Sequence, residues 1–313
     1  MRNYRPLNEL PRHACLVLIC LGAVSLGGCA TAGDIHFTGA RPQTPLKLLL
    51  VQSPAHITTA RLQKVLAPQS KTKLDDTAPP IVRGIRHFRQ RAAHAMETAL
   101  SRQTGLRNAK PPTSATRLLT EFKDADYQTV PPQTTATQLQ TLTGADAILK
   151  FRITDYGLTP TTWRSGYITF EVVSTLAIAG VIASAGSTVA KGAAGAYLTQ
   201  EAVEETAEGY AGFWAVDVVY RPVRIEAELI QLHPVRIVWS SSDTGLSDYR
   251  FSRLTHKVSQ TERDRQLEAA TDAAASDVVT ELVDALHNHR QYLKRTPAER
   301  KSSNSIVLFQ NSK

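Results

Sequence analysis

The sequence predicts an α/β (α+β) fold, a single mixed-sheet domain flanked by helices and interrupted by an Ala/Gly-rich helical insert. Three observations lead there. Strand-like segments stand at Leu46–Gln52, Asp146–Tyr156 and Val223–Trp239. Amphipathic helical patterns lie between the first two and after the last. Elements in this order form a two- or three-layer domain around one sheet.

Leu46–Gln52 (LKLLLVQ) is a short apolar run of the kind found in a strand buried on both faces, and Ser53-Pro54 stops it. Arg83–Gln103 is a helix: Ile85, Phe88, Ala92, Met96 and Ala99 recur at spacings of three and four, while Arg86, Arg89, Gln90 and Glu97 take the other side. Thr104-Gly105 ends it. A short strand is expected near Arg117–Phe122, between a loop with Pro111-Pro112 and another with Pro131-Pro132. Thr135–Thr143 is a short helix closed by Gly144. Asp146–Tyr156 alternates, with Leu149, Phe151 and Ile153 on one face and Lys150, Arg152 and Thr154 on the other, which reads as a half-exposed strand. Val223, Ile225, Ala227 and Leu229 alternate with Arg224, Glu226 and Glu228; His233-Pro234 turns the chain, and Val235, Ile237 and Trp239 complete a hairpin. A polar loop of about twenty residues is expected next. Arg263–His289 is a long helix with the stripe Leu267, Ala270, Ala274, Val278, Leu282 and Leu286. The tail after Pro297 is polar except for Ile306–Phe309 and is expected to be loosely ordered.

Ahead of the domain, Arg2, Arg5 and Arg12 precede an uncharged stretch from Ala14 to Gly28, the layout of a secretory signal. The stretch is shorter than the roughly 20 residues of a membrane span. Leu26-Gly27-Gly28-Cys29 at its end resembles the bacterial lipobox: a leucine, two small residues and a cysteine. The resemblance implies that Cys29 is lipidated and becomes the mature N-terminus, that residues 1–28 are a lipoprotein signal peptide, and that 29–45 is a lipidated tether before a domain at 46–313. One acyl chain binds a bilayer only marginally, whereas the several chains carried by such a cysteine anchor stably. Ala30 follows the cysteine; the absence of an aspartate there points to the outer membrane, with the domain in the periplasm.

Composition limits the function classes. The chain has 313 residues and a net charge of +8, and loss of residues 1–28 leaves 285 residues at +6. A basic surface suits anionic lipid, lipopolysaccharide or peptidoglycan; a lipid anchor outside the cytoplasm argues against nucleic acid. Cys15 and Cys20 leave with the signal and Cys29 is acylated, so neither a disulfide nor a thiolate zinc site is expected. There is no Gly-x-Ser-x-Gly elbow, phosphate loop or His-Glu-x-x-His motif. His287 and His289 are two apart and diverge on a helix, and His87 and His94 read as surface residues. Glu201, Glu204 and Glu205 read as a helix face rather than an acid/base pair. No enzyme, metal or cofactor is expected.

Thr143-Gly144-Ala145-Asp146-Ala147-Ile148-Leu149 resembles the Leu-Gly-Ala-Asp-hydrophobic stretch of the CsgG/LpoB-like periplasmic lipoproteins. That group includes the curli secretion channel subunit and the activator of a penicillin-binding protein. The hairpin Arg224–Trp239 is similar to their second signature, two strands ending Val-Trp, with Leu232-His233-Pro234 where the group carries an Asp-x-x-x-Gly turn. The resemblance implies a non-enzymatic envelope component.

The insert, 168–210, contains Val172–Ala190, 19 uncharged residues between Glu171 and Lys191. Ala179, Ala183, Gly186 and Ala190 form a ridge of small residues at helical spacing, a surface that lets helices approach closely in membranes. Three readings stand: a membrane-inserted or membrane-touching helix that self-associates, a buried hairpin with the acidic helix Glu201–Glu208, or an Ala/Gly linker. Its helical period disfavours a β-barrel pore, whose strands alternate with period two. The function expected is a lipid-anchored binding or assembly component of an envelope or secretion complex, able to form a homo-oligomer. The alternative is an oligomeric channel or transport subunit whose 172–195 region enters the membrane.

Overall fold

The computed structural model describes Ile35 and residues 45–124, 126–166, 212–250 and 252–294, the last six as backbone. Strand β1 (Leu46–Gln52) leads through α1 (Thr59–Leu66) and α2 (Pro79–Ser101) to β2 (Leu106–Asn108). Helices α3 (Thr116–Asp124) and α4 (Gln133–Thr143) precede β3 (Ala147–Tyr156). The hairpin β4 (Val223–Leu232) and β5 (Val235–Gly245) is followed by α5 (Ser252–Thr255) and the 35-residue α6 (Gln260–Lys294).

The sheet order is β2-β1-β3-β4-β5. β1 runs parallel to both β2 and β3, and β3–β4 and β4–β5 are antiparallel, so the sheet is mixed, as the sequence predicts. Parallel neighbours need crossovers and antiparallel ones need only a turn, which is why helices separate the first three strands and two residues join the last two.

The first face of the sheet carries Leu48, Leu149, Phe151, Ile153, Val223, Ile225, Ala227 and Leu229 and is closed by α2 and α6. All six residues of the stripe expected on the last helix are buried there. Gly245 marks the closest approach: a Cβ on it would lie 2.0 Å from the Ala270 carbonyl oxygen and 2.3 Å from the Ala274 nitrogen. The second face carries Leu49, Val51, Ile148, Ile230 and Leu232, covered by Leu118 and Phe122 of α3 and Ala136 and Leu139 of α4. Gly144 ends α4 at φ 63°, a left-handed position natural to glycine.

Several expectations change. Arg117–Phe122 is helix, not strand: Leu118 and Phe122, four apart, share the buried side of α3. β3 is not half-exposed. It is the middle strand of five and is buried over most of both faces: Lys150 is sealed, while Arg152 and Thr154 stay half-buried. The loop expected after Trp239 begins later, because β5 continues to Gly245. Helix α1 and strand β2 were not expected. The tail beyond 294 and the insert 168–210 lie outside the described residues.

Candidate functional site at the base of the insert

The site residues expected from sequence, Cys29 and the ridge Ala179, Ala183, Gly186 and Ala190, all lie outside the described residues, as do Glu201, Glu204 and Glu205. The two ends that hold the insert are described. β3 ends at Tyr156, and Gly157, at φ 70°, turns the chain while its nitrogen donates to the Pro222 carbonyl at 2.7 Å. A helical segment follows at 161–166, and another at 212–219 leads back into β4.

One carboxylate ties the two ends together. Asp217 accepts from the backbone nitrogen of Thr159, from its hydroxyl at 2.6 Å and from Arg164 at 2.8 Å. The Arg164 guanidinium lies 5.1 Å from the centre of the Phe213 ring. Charge-assisted hydrogen bonds of this kind are about twice as strong as neutral ones. Beside them, Asp155 accepts from Arg61 at 2.9 Å and from the Thr161 nitrogen at 3.2 Å. Burial raises its carboxyl above the ordinary carboxylate value, although Arg61 and Thr161 pull the other way.

The returning segment 212–219 ends on free carbonyls, and side chains from the C-terminal part of the domain satisfy them. Arg253 donates to the Val219 carbonyl at 2.7 Å, and Gln266 donates to those of Val218 at 3.0 Å and Val219 at 2.7 Å. A helix end needs such partners for its last carbonyls. Arg253 also pairs with Asp248 at 3.0 Å and Glu262 at 2.6 Å. Hydrogen bonds from Arg265 and Arg253 lower the Glu262 carboxyl to about 2. The surface above this anchor is aromatic: Trp214 is 56% exposed, Tyr249 55%, and the Tyr220 and Tyr249 rings lie 6.0 Å apart.

A second polar group sits on the sheet's second face. Lys150 and Glu228, register partners on β3 and β4, form an ion pair at 3.4 Å with both side chains fully buried. Lys150 also donates to the Asp126 carbonyl at 3.1 Å, and Glu228 accepts from the Gln128 nitrogen at 3.0 Å. The next rung, Arg152–Glu226 at 2.8 Å, is partly open to water, and the Arg152 guanidinium lies 4.2 Å from the centre of the Tyr127 ring. Burial raises the Glu228 carboxyl against the pull of Lys150. This pair is sealed from any substrate and acts as internal structure.

Among the described residues, no group of three His, Cys, Asp or Glu could hold a metal ion. No described helix is long and apolar enough to cross a membrane. Sequence reasoning missed Asp217, Arg164, Arg253 and Gln266. Their partners are distant along the chain, and neither spacing nor residue type marks them beyond the charged residues that flank the uncharged insert.

No protein-family model and no curated protein matches this sequence. The fold is similar to that of the PelC dodecamer from Paraburkholderia phytofirmans, at 9% identity and a TM-score of 0.29, covering 80% of this chain and 98% of that one. It is also similar to a hypothetical protein from Chlamydia trachomatis, at 9% identity and a TM-score of 0.35, covering 78% and 97%.

Proposed function

We propose that this chain is an outer-membrane lipoprotein, anchored through Cys29, whose periplasmic domain acts as a binding or assembly component of an envelope or secretion complex. The observation that carries the proposal is Leu26-Gly27-Gly28-Cys29 at the end of an uncharged stretch behind three arginines. The resemblance of Thr143–Leu149 and the Arg224–Trp239 hairpin to the CsgG/LpoB-like lipoproteins supports the same reading, and so does the lack of a catalytic motif in the sequence. The role is non-enzymatic: the lipid fixes the domain at the membrane and its surfaces bind other envelope proteins.

A second reading rests on the aromatic surface at the insert's base. Trp214 and Tyr249 are amphipathic rings of the type that settles at a bilayer interface, and they stand where a segment with 19 consecutive uncharged residues joins the domain. In this reading the 172–195 region enters the membrane, and the ridge Ala179, Ala183, Gly186 and Ala190 packs helices in a channel or transport subunit. Gly186→Leu would then reduce oligomer size.

The test is membrane fractionation of wild type and Cys29→Ser, with mass spectrometry of the N-terminal peptide. Acyl chains on wild type and a soluble variant support the lipid-anchored adaptor. A variant that resists carbonate extraction supports the membrane-entering insert. An unmodified Cys29 overturns the anchor.

A further inference from the structure

Among the described residues β5 is an edge strand. It is 11 residues long, pairs with β4 on one side, and carries no proline or lysine of the kind that blunts an exposed edge. Its charges are distributed unevenly. Arg236 stands at one end, with its Nε and one Nη buried and lacking hydrogen-bond acceptors. At the other end Asp243 lies near acidic residues of α6. Asp277 and Glu281 are both raised above their ordinary values, chiefly by burial and further by the Asp243 carboxylate. The strand thus has at its start a cation with two nitrogens lacking acceptors, and toward its finish a cluster of acid, in which Asp243 also accepts from the Thr244 nitrogen and is drawn to Arg224.

We infer that β5 pairs antiparallel with β5 of a second copy of this chain, around a two-fold axis at Ser240, so that Arg236 of each copy meets Asp243 of the partner subunit.

The register follows from a bulge. Leu229 pairs with Trp239 and Ile230 with Ile237, so Val238 is an extra residue and reverses the alternation of β5. With Ser240 on the axis, Trp239 lies opposite Ser241 of the partner subunit. Skipping Val238 then sets Ile237 opposite Ser242 and Arg236 opposite Asp243. The bulge also puts Arg236 and Asp243 on the same side of the sheet: Arg236 pairs with Gln231 and Asp243 with Ile225, both on the first face. In an unbulged strand, residues seven apart point to opposite faces and could not meet across the axis. Directly opposed residues bring their Cβ atoms within about 5 Å, close enough for a guanidinium and a carboxylate to join. The contact is isologous, so each complementary pair occurs twice.

The experiment uses the full chain in cells. Ser240→Cys puts a thiol on the axis, and mild oxidation followed by a non-reducing gel reads a band at twice the 34.2 kDa of one chain before processing. Crosslinking is expected with Ser240→Cys and not with wild type. Adding Asp243→Arg sets arginine against arginine and should cut the crosslinked fraction about tenfold, the scale of two lost cross-strand charge pairs. Adding Arg236→Asp as well restores opposite charges and should restore the band. Light scattering of the purified chain in detergent should give a multiple of two subunits. A monomeric wild type, a crosslink indifferent to the charge changes, or a folded double swap that stays uncrosslinked overturns the inference. So does a crosslink that forms only after truncation beyond Lys294, since the tail would then be what occupies the edge. The crosslink is read with Cys15, Cys20 and Cys29 each replaced by serine, which leaves the thiol introduced by Ser240→Cys as the one thiol, so the anchor and the interface fail separately.

Discussion

The two faces of the sheet are built from the same strands by the same alternation, yet they are stabilised differently. On the first face Leu149, Phe151 and Ile153 of β3 meet Leu229, Ala227 and Ile225 of β4, and two long helices close the layer. On the second face the β3 residues are Ile148, Lys150 and Arg152, and the β4 residues opposite are Ile230, Glu228 and Glu226. That face runs from apolar under α3 and α4, through a sealed ion pair, to a rung open to water. The first face gains by removing hydrocarbon from water, roughly 25 cal/mol per Å². The second trades part of that gain for paired charges, which return little net energy but are costly to break singly.

The sharpest way to break the contrast is Lys150→Met. It leaves Glu228 buried without its cation and should destabilise the domain by about 3–5 kcal/mol. Lys150→Met with Glu228→Leu should recover most of that loss, because an apolar pair of similar volume suits the site as well. Urea unfolding of the two variants checks this, and a double variant no better than the single would show that the ion pair itself is what holds the face.

Gly245→Ala probes the first face. The added methyl meets the α6 backbone, and overpacking of this kind costs about 1–3 kcal/mol. Its urea midpoint should fall further than that of Gly166→Ala, where a Cβ has nothing within 4 Å.

Arg152→Met, one rung from Lys150, should change stability by only about 0–1 kcal/mol, because water already screens that pair. An equal loss from Lys150→Met and Arg152→Met would remove burial as the difference between the rungs.

The smallest effect concerns acid. Glu262 titrates near 4.5 when unfolded and about 2 when folded. A carboxyl lowered on folding contributes stability that is present above the unfolded value and lost as pH falls through the folded one. Stability should therefore decline between about pH 4.5 and 2, and Glu262→Gln should flatten that part of the curve. Its surroundings are largely open to solvent, so the effect is small.

Much of the fold was legible because some elements carry their own reasons. Leu46–Gln52 is a strand with the predicted bounds, Gly144 stops its helix, and the six-residue stripe of the last helix needs only period 3.6 to be seen. The turn at His233-Pro234 follows from two alternating runs with a break between them. The α3 segment was misread because its window is short: Leu118, Leu119 and Phe122 fit a strand fragment as readily as one helical turn until a partner surface chooses between them. Of the functional reading, the lipobox-like motif is entirely local, whereas the tie at Asp217 joins residues more than 50 positions apart.

The sequence alone determined which residues are apolar and with what period, and hence β1, β3, β4 and β5, the long helices, their order and the single mixed sheet. Tertiary structure alone decided that Lys150 is sealed and Arg152 is not, that Asp217 and Arg253 pin the ends of the insert, and that a bulge at Val238 turns Arg236 to the side of Asp243. Period is a property of neighbouring residues, whereas burial, charge pairing and register depend on what the fold places across the gap.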